Sequence, residues 1–185
     1  HLSIRRQRQM CIRDSYGPCA FMDTYDPKTV FSSIDKLGRY AYCNQPVITK
    51  WNLSRFAVCL IPLIDKDQDT AIKLATEIID TFEKTYEEKW LKMMRDKLGL
   101  LDADEKDKYL ILDLLTWMHQ NKVDYTNTFC HLMNFKIQDD IYEGADFINW
   151  KKRWQERSLS HDNSEEKHKK LMRSANPLLI PRNHI

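Results

Sequence analysis

The sequence contains few of the residues that interrupt regular structure. Its 185 residues include only four glycines and six prolines, which excludes a collagen-like chain or a disordered chain rich in glycine and proline. Two of these glycines and four of these prolines lie together between Tyr16 and Ile64. The remainder of the chain is therefore expected to be helical over most of its length.

Motifs for catalysis and metal binding are also scarce. No glycine-rich phosphate loop precedes Tyr16, and no Ser/His/Asp or Cys/His arrangement is recognisable. His119 and His131 fit no zinc-ligand spacing, so we expect both to be structural. The formal net charge of +2 is too small to indicate a nucleic-acid partner. We find no apolar run approaching the ~20 residues that cross a bilayer, and therefore expect a soluble chain without a membrane partner.

The cysteines form no Cys-x-x-Cys pair, which argues against a zinc site and against a disulfide framework. An odd number of cysteines suits a reducing compartment. The sequence therefore predicts buried or partly buried free thiols at its five cysteines, Cys11, Cys19, Cys43, Cys59 and Cys130.

Residues 16–49 are predicted to form an ordered loop. Gly17-Pro18 and Leu37-Gly38-Arg39 are turn signals, and Tyr40-Ala41-Tyr42 alternates like a short strand. Asn44-Gln45-Pro46 should end the loop, because apolar residues then recur at helical spacing up to Ile64.

Three charged residues of this loop suggest how it is held. We expect Asp23 and Asp26 to cap turns and Arg39 to pair with a carboxylate. Such residues either brace the loop or contact a substrate directly, and both interpretations stay open.

Helical periodicity dominates from Asp67 onward. Apolar residues from Ala71 to Leu98 keep a period near 3.6, and Gly99 is expected to end that helix. A second helix is predicted to begin at Asp102, which has Glu105 at capping-box spacing. Its segment 109–118 is apolar almost all round and should be buried.

Further helices are predicted towards the end of the chain. Asp124 or Thr126 would cap a third helix that continues to Phe135. The fourth, Ala145 to Arg157, carries Phe147, Trp150 and Trp154 on one face. We interpret these methionine and aromatic stripes as core rather than as a cofactor or peptide groove, and the run Glu165 to Lys170 as a solvated helix face.

A series of short motifs occurs in one order along the chain: Tyr16-Gly17-Pro18, Phe21-Met22-Asp23, Tyr25-Asp26-Pro27, Gly38-Arg39-Tyr40, Asn44-Gln45-Pro46, Trp51-Asn52-Leu53, Asp124-Tyr125-Thr126-Asn127-Thr128-Phe129, Asn176-Pro177 and Ile180-Pro181-Arg182-Asn183-His184. This series resembles the selenoprotein O family of protein adenylyltransferases, also called the YdiU family. The resemblance extends from Tyr16 to the end of the chain.

The resemblance implies a fold and an activity. It implies a mainly α structure: the helical C-terminal lobe of a protein-kinase-like fold over residues 50–185, preceded by an activation-segment-like loop over residues 16–49 with at most short strands. The activity that the resemblance implies is transfer of AMP from ATP, with Mg²⁺ or Mn²⁺, to hydroxyl side chains of protein substrates. The resemblance also implies an intramolecular disulfide in some members, as the alternative to free thiols.

The resemblance places the metal site just before the loop. Family members have a metal-binding aspartate directly before the Tyr-Gly-Pro motif, where this chain has Ser15, and a base and a metal-binding asparagine about ten residues further upstream. Asp14 lies one residue too early. No catalytic, nucleotide-binding or metal-binding residue is therefore predicted here, and Tyr16, Gly17 and Pro18 are predicted only to adjoin the site.

Residues 1–15 do not match the family pattern. The hexapeptide Met10 to Ser15 is similar to what one reading frame of a sequencing-library adapter would encode, so residues 1–15 are expected to be a non-native or disordered arm. A basic tail, a nucleic-acid arm and an arginine-rich targeting arm are the alternatives.

Two functions remain open from the sequence. The chain is expected to be an internal fragment of an ATP-dependent protein adenylyltransferase that is inactive by itself, or else a non-catalytic helical interaction module. A bacterial parent would be cytoplasmic and a eukaryotic one mitochondrial.

Overall fold

A computed structural model describes residues 22–134, 140–159 and 165–178. Seven α-helices lie in these ranges, and a single isolated β-bridge is the only strand-like pairing found in them. The mainly α prediction is therefore confirmed. The helices are α1 (Gln45–Ile64), α2 (Gln68–Asp80), α3 (Phe82–Leu98), α4 (Asp107–Asn121), α5 (Tyr125–Leu132), α6 (Ala145–Leu159) and α7 (Glu165–Ala175).

Helix α1 begins earlier than the sequence indicated. Pro46 lies in its first turn, where its missing N–H has no helical partner to lose. Residues 45–49, assigned to the loop from the sequence, are therefore helical. The strand-like segment Tyr40-Ala41-Tyr42 is also corrected, because a short 3₁₀ helix spans Tyr42–Asn44. Residues 42–64 together are long and apolar enough to cross a membrane by length and composition alone, which corrects the expectation that no such run exists.

The single long helix predicted to end at Leu98 is two helices that meet at Thr81. The Thr81 hydroxyl donates to the carbonyl of Ile78 at 2.7 Å, and such a side-chain bond competes with the helical backbone pattern. Gly99 ends α3 as predicted, with a φ of 70°. The backbone N–H of Leu100 reaches back to the carbonyl of Arg95 at 2.9 Å, which satisfies a terminal carbonyl.

Helix α4 begins at Asp107, so the start predicted at Asp102 is wrong. The Asp107 carboxylate is fully buried. It accepts hydrogen bonds from Arg95 Nε at 2.7 Å, Arg157 Nε at 2.8 Å and the backbone N–H of Asp104 at 2.9 Å. These bonds hold the segment before α4 in an irregular conformation, because they join it to both α3 and α6.

The remaining helix starts agree with the sequence. Asp124 caps α5, since its Oδ1 accepts from the backbone N–H of Asn127 at 2.7 Å. Helix α6 buries Phe147 and Trp150 as predicted, and Trp154 packs against the same core.

The core lies between α3, α4, α5, α6 and α7, so the predicted methionine and aromatic stripes are largely core. Several positions of the predicted stripes are exposed instead, namely Leu74, Ile78, Tyr86, Met93, Tyr109 and Leu112. Helices α1 and α2 pack on each other outside this core, and only Ile48, Ala71 and Ala75 of these two helices are buried.

Candidate functional site

The loop of residues 22–44, which we call the anchored loop, is tied to the start of α5. The backbone N–H of Tyr25 donates to the carbonyl of Val123 at 2.9 Å, and that of Tyr125 donates to the carbonyl of Asp23 at 2.7 Å. These two bonds form the bridge between Thr24 and Asp124. Two motifs about a hundred residues apart in sequence are thus in direct contact.

Aromatic rings reinforce this junction. The ring of Tyr25 stacks on Tyr125 with centroids 5.7 Å apart and meets Tyr42 edge-on at 6.1 Å. Burial raises the pKa of Tyr25 to about 12 and also raises the pKa values of Tyr42 and Tyr125. Burial therefore disfavours ionisation of all three phenols, and the ring of Tyr25 packs against the other two.

Side-chain hydrogen bonds hold the rest of the anchored loop. Both oxygens of the Asp35 carboxylate accept backbone N–H groups, from Arg39 at 2.8 Å and Tyr40 at 2.7 Å. Asp26 Oδ1 accepts the backbone N–H of Lys28 at 2.8 Å, as expected for a turn. Sequence reasoning identified Asp26 but missed Asp35, although an aspartate three residues before a glycine is a recognisable turn signal.

Arg39 differs from the prediction. Within the described residues its guanidinium pairs with no carboxylate and lies 4.6 Å from the centroid of the Trp51 indole instead. Arg55 approaches the same indole at 5.1 Å. The expected ion pair is thus replaced by a cation–π contact.

Lys97 is a buried lysine that sequence reasoning missed. Its ammonium lies 4.5 Å from the Phe129 ring centroid and 5.4 Å from that of Tyr125. Burial lowers the pKa of Lys97 to about 8. The only signal in the sequence was its place between Met94 and Leu98 on the apolar side of α3.

The same region contains a third motif. The Asn176 side chain donates from Nδ2 to the carbonyls of Lys97 at 2.8 Å and Met172 at 2.9 Å. The motifs containing Tyr25, Asp124 to Phe129 and Asn176 therefore converge around Tyr125 and Lys97. This convergence is the candidate functional region, and its contacts position backbone and rings.

Several predicted positions lie outside the described residues. They include Tyr16, Gly17 and Pro18, the metal position occupied by Ser15, and the motif from Ile180 to His184. In the described ranges no three His, Cys, Asp or Glu side chains are close enough to hold a metal ion. No catalytic step is assigned to the described residues.

The histidines and cysteines of the described ranges lie in different environments. His131 stacks on Tyr142 at 4.2 Å, and burial lowers its pKa. His119 is half-exposed, 3.8 Å from Asp26. Cys43 and Cys59 are exposed free thiols, which differs from the predicted burial, whereas Cys130 is buried and free.

Comparisons with known proteins agree with these motifs. The profile of the family described as protein adenylyltransferase SelO matches residues 11–185. A protein nucleotidyltransferase YdiU of Pelagibacter ubique is 63% identical over 170 residues, and its namesakes of Clostridium botulinum and Alcanivorax borkumensis are 52% and 50% identical. Each alignment covers 91–92% of this chain but 35% of the relative, so the chain spans about a third of their length. The chain belongs to the SelO/YdiU family of protein nucleotidyltransferases.

Proposed function

We propose that this chain is part of an enzyme that transfers AMP from ATP, with Mg²⁺ or Mn²⁺, to Ser, Thr or Tyr hydroxyls of acceptor proteins. Family membership supports a nucleotidyltransferase. The observation that carries the proposal for this chain is the convergence of three family motifs around Tyr125 and Lys97. A fixed junction of this kind suits a segment that must hold the neighbouring active-site loop in one position.

The proposed reaction is a nucleotidyl transfer. The acceptor oxygen forms a bond to the α-phosphorus of ATP, the bond from that phosphorus to the α,β-bridging oxygen breaks, and pyrophosphate leaves with the electron pair. The acceptor loses its hydroxyl proton. We assign to the described residues the positioning of the anchored loop and assign the proton and the metal to residues outside them.

The part played by the anchored loop follows from its attachment. Tyr25 is fixed by a backbone bond and a ring stack. The segment that precedes Tyr25 in sequence is therefore attached to the fold at a fixed position. Tyr16, Gly17 and Pro18 are fewer than ten residues away, and we propose that they adjoin the nucleotide and metal site. The proposed partners are acceptor proteins rather than nucleic acid, and the proposed location is cytoplasmic for a bacterial parent and mitochondrial for a eukaryotic one.

A chimera tests the function. In it, residues 16–185 of this chain replace the matching segment of the Pelagibacter ubique relative. The chimera is incubated with Mg²⁺, an acceptor protein mixture and ATP labelled at either the α- or the γ-phosphate, beside the unmodified relative as a positive control. Label from the α position alone should enter protein. Transfer of the γ label would indicate a kinase and contradict the proposal.

The remaining outcomes distinguish the adenylyltransferase from the alternative function, a helical interaction module. If the relative is active and the correctly folded chimera transfers neither label, the helical interaction module without chemistry becomes the better interpretation. For residues 16–185 alone we expect no incorporation of either label, because the resemblance places the base and the metal-binding asparagine upstream of Tyr16.

A further inference from the structure

Helix α1 presents an unusually apolar surface. Of its 20 residues only Ile48 is buried. One side of the helix packs on α2 and α3. Most of the opposite side is exposed and largely apolar; its exposed large apolar residues are Val47, Trp51, Phe56, Val58 and Leu63. A contiguous exposed apolar surface of this kind indicates a contact with another element.

Grooves border this surface. A groove of about 880 Å³ lies between α1 and α2 and is lined by residues that include Ala57, Ile61 and Ile72. A second groove of about 430 Å³ lies between α1 and α3 and includes Val47 and Phe82. Their shape and apolar lining suit the side chains of a helix or extended segment laid along α1.

Charge on α1 is distributed unevenly. Lys50, which faces α2 and α3, is neutralised by Asp80 at 3.6 Å and Glu83 at 3.0 Å. Arg39 and Arg55 flank the exposed Trp51 ring, and within the described ranges neither guanidinium has a carboxylate partner. The exposed surface therefore combines apolar side chains with two cationic groups that suit carboxylates.

A bilayer is a poor occupant for this surface despite the length of the helix. Helix α2 lies along α1, and its exposed side carries Lys73 and Glu77. Placing α1 in hydrocarbon would also draw these charges out of water, which is strongly unfavourable. The Lys50 ion pairs would have to be broken or buried as well.

We propose that the exposed surface of α1 is covered by a segment from the part of the full-length enzyme outside this chain. The segment would be an amphipathic helix or extended stretch whose apolar side fills the grooves and whose carboxylates meet Arg39 and Arg55. Relatives matched over only 35% of their length have most of their residues outside the matched part. The inference rests on the proposed function, under which this chain is part of such an enzyme and the same polypeptide supplies the segment. A segment of the same polypeptide has a high effective concentration at this surface, so individually weak contacts are sufficient to hold it there.

A native thiol reports on this surface. Cys59 is exposed on α1, one helical turn from both Arg55 and Leu63, and its Sγ lies 3.6 Å from the carbonyl of Arg55. In the chimera described above, the rate of maleimide modification at Cys59 is measured by peptide mapping. A Lys73→Cys variant on the exposed side of α2 supplies the reference rate, and an unreactive Cys130 verifies the fold.

The expected result is that Cys59 reacts at least about tenfold more slowly than the thiol of Lys73→Cys. Charge reversal by Arg55→Glu should accelerate modification of Cys59 several-fold, while Lys73→Glu should leave it unchanged. Equal rates at Cys59 and at Lys73→Cys would overturn the proposal. Protection that appears only at high protein concentration, or only with phosphatidylcholine vesicles, would also overturn it, in favour of a second copy or a bilayer.

Discussion

The ring of Tyr25 stacks on the ring of Tyr125, with centroids 5.7 Å apart, and this contact joins the anchored loop to helix α5. The adjoining backbone bonds, Tyr25 to Val123 and Tyr125 to Asp23, run in opposite directions across the same junction. The junction therefore depends on ring packing as well as on backbone pairing.

The first prediction concerns this stack. Tyr25→Ala should lower the free energy of unfolding by about 3 to 5 kcal/mol, because it removes a buried ring and leaves a cavity. Tyr25→Phe keeps the ring and should change it by less than about 1 kcal/mol. Urea denaturation of the chain measures both values, and a similar loss for the two variants would contradict a role based on ring packing.

A second prediction concerns the buried carboxylate of Asp107. Asp107→Asn leaves the guanidiniums of Arg95 and Arg157 without their shared counter-charge, and the expected loss is about 3 to 5 kcal/mol. Asp113→Asn on the same helix removes an exposed pair with Arg153 and should cost less than about 1 kcal/mol. Equal losses in denaturation experiments would show that burial of the pair is unimportant.

Asp107 also predicts an acid dependence. Burial by itself would raise the pKa of the Asp107 carboxyl, but hydrogen bonds from Arg157, the Asp104 backbone and Arg95 hold it below its ordinary value. Stability from this group is therefore complete above the unfolded-state pKa and is lost as the pH falls through the lower folded-state pKa. Unfolding measured below pH 5 should show this loss, and Asp107→Asn should show a shallower dependence.

Lys97 predicts a pH dependence of stability with the same sign, but at alkaline pH. Its pKa is about 8 in the folded chain against an ordinary 10.5, so the unfolded chain binds more protons between these values and stability should rise with pH. The nearby Cys130 thiol, whose pKa is raised by burial, acts against this rise. The measurement is therefore the difference between wild type and Lys97→Met, and a difference constant from pH 7 to 10 would contradict the prediction.

Two glycines give a matched comparison of backbone strain and steric overlap. Gly38 and Gly99 both have positive φ, at 66° and 70°. A Cβ at Gly99 would lie 2.8 Å from Met172 Cγ, whereas at Gly38 the nearest atom is 3.6 Å away. Gly38→Ala should therefore cost about 1 to 2 kcal/mol from the left-handed backbone, and Gly99→Ala should cost more.

The double variant tests the origin of that excess. Adding Met172→Ala to Gly99→Ala should recover part of the difference, since it removes the overlapping side chain. Thermal or urea unfolding of Gly38→Ala, Gly99→Ala, Met172→Ala and the double variant of Gly99→Ala with Met172→Ala provides the comparison. Full additivity of the two substitutions would exclude the overlap with Met172 as the cause.

Interactions that reach across only a few residues could be predicted from the sequence. The Asp124 cap and the Gly99 stop involve bonds within one helical turn, so their residue types are sufficient signals. The stripe of Phe147, Trp150 and Trp154 likewise reports burial through its 3.6-residue period. These local rules are the reason that a mainly α fold was predictable.

Interactions between distant residues could be found only in the tertiary structure. Asp107 rather than Asp102 begins α4 because the Asp107 carboxylate is taken by Arg157, 50 residues away. The positions of Arg39 on Trp51 and of Lys97 among rings from α5 likewise depend on contacts between separate elements. The sequence by itself determined the mainly α class, the Asp124 cap, the Gly99 stop and the family. Tertiary structure decided which charges are buried and which apolar surface stays exposed, because both depend on partners that no local pattern specifies.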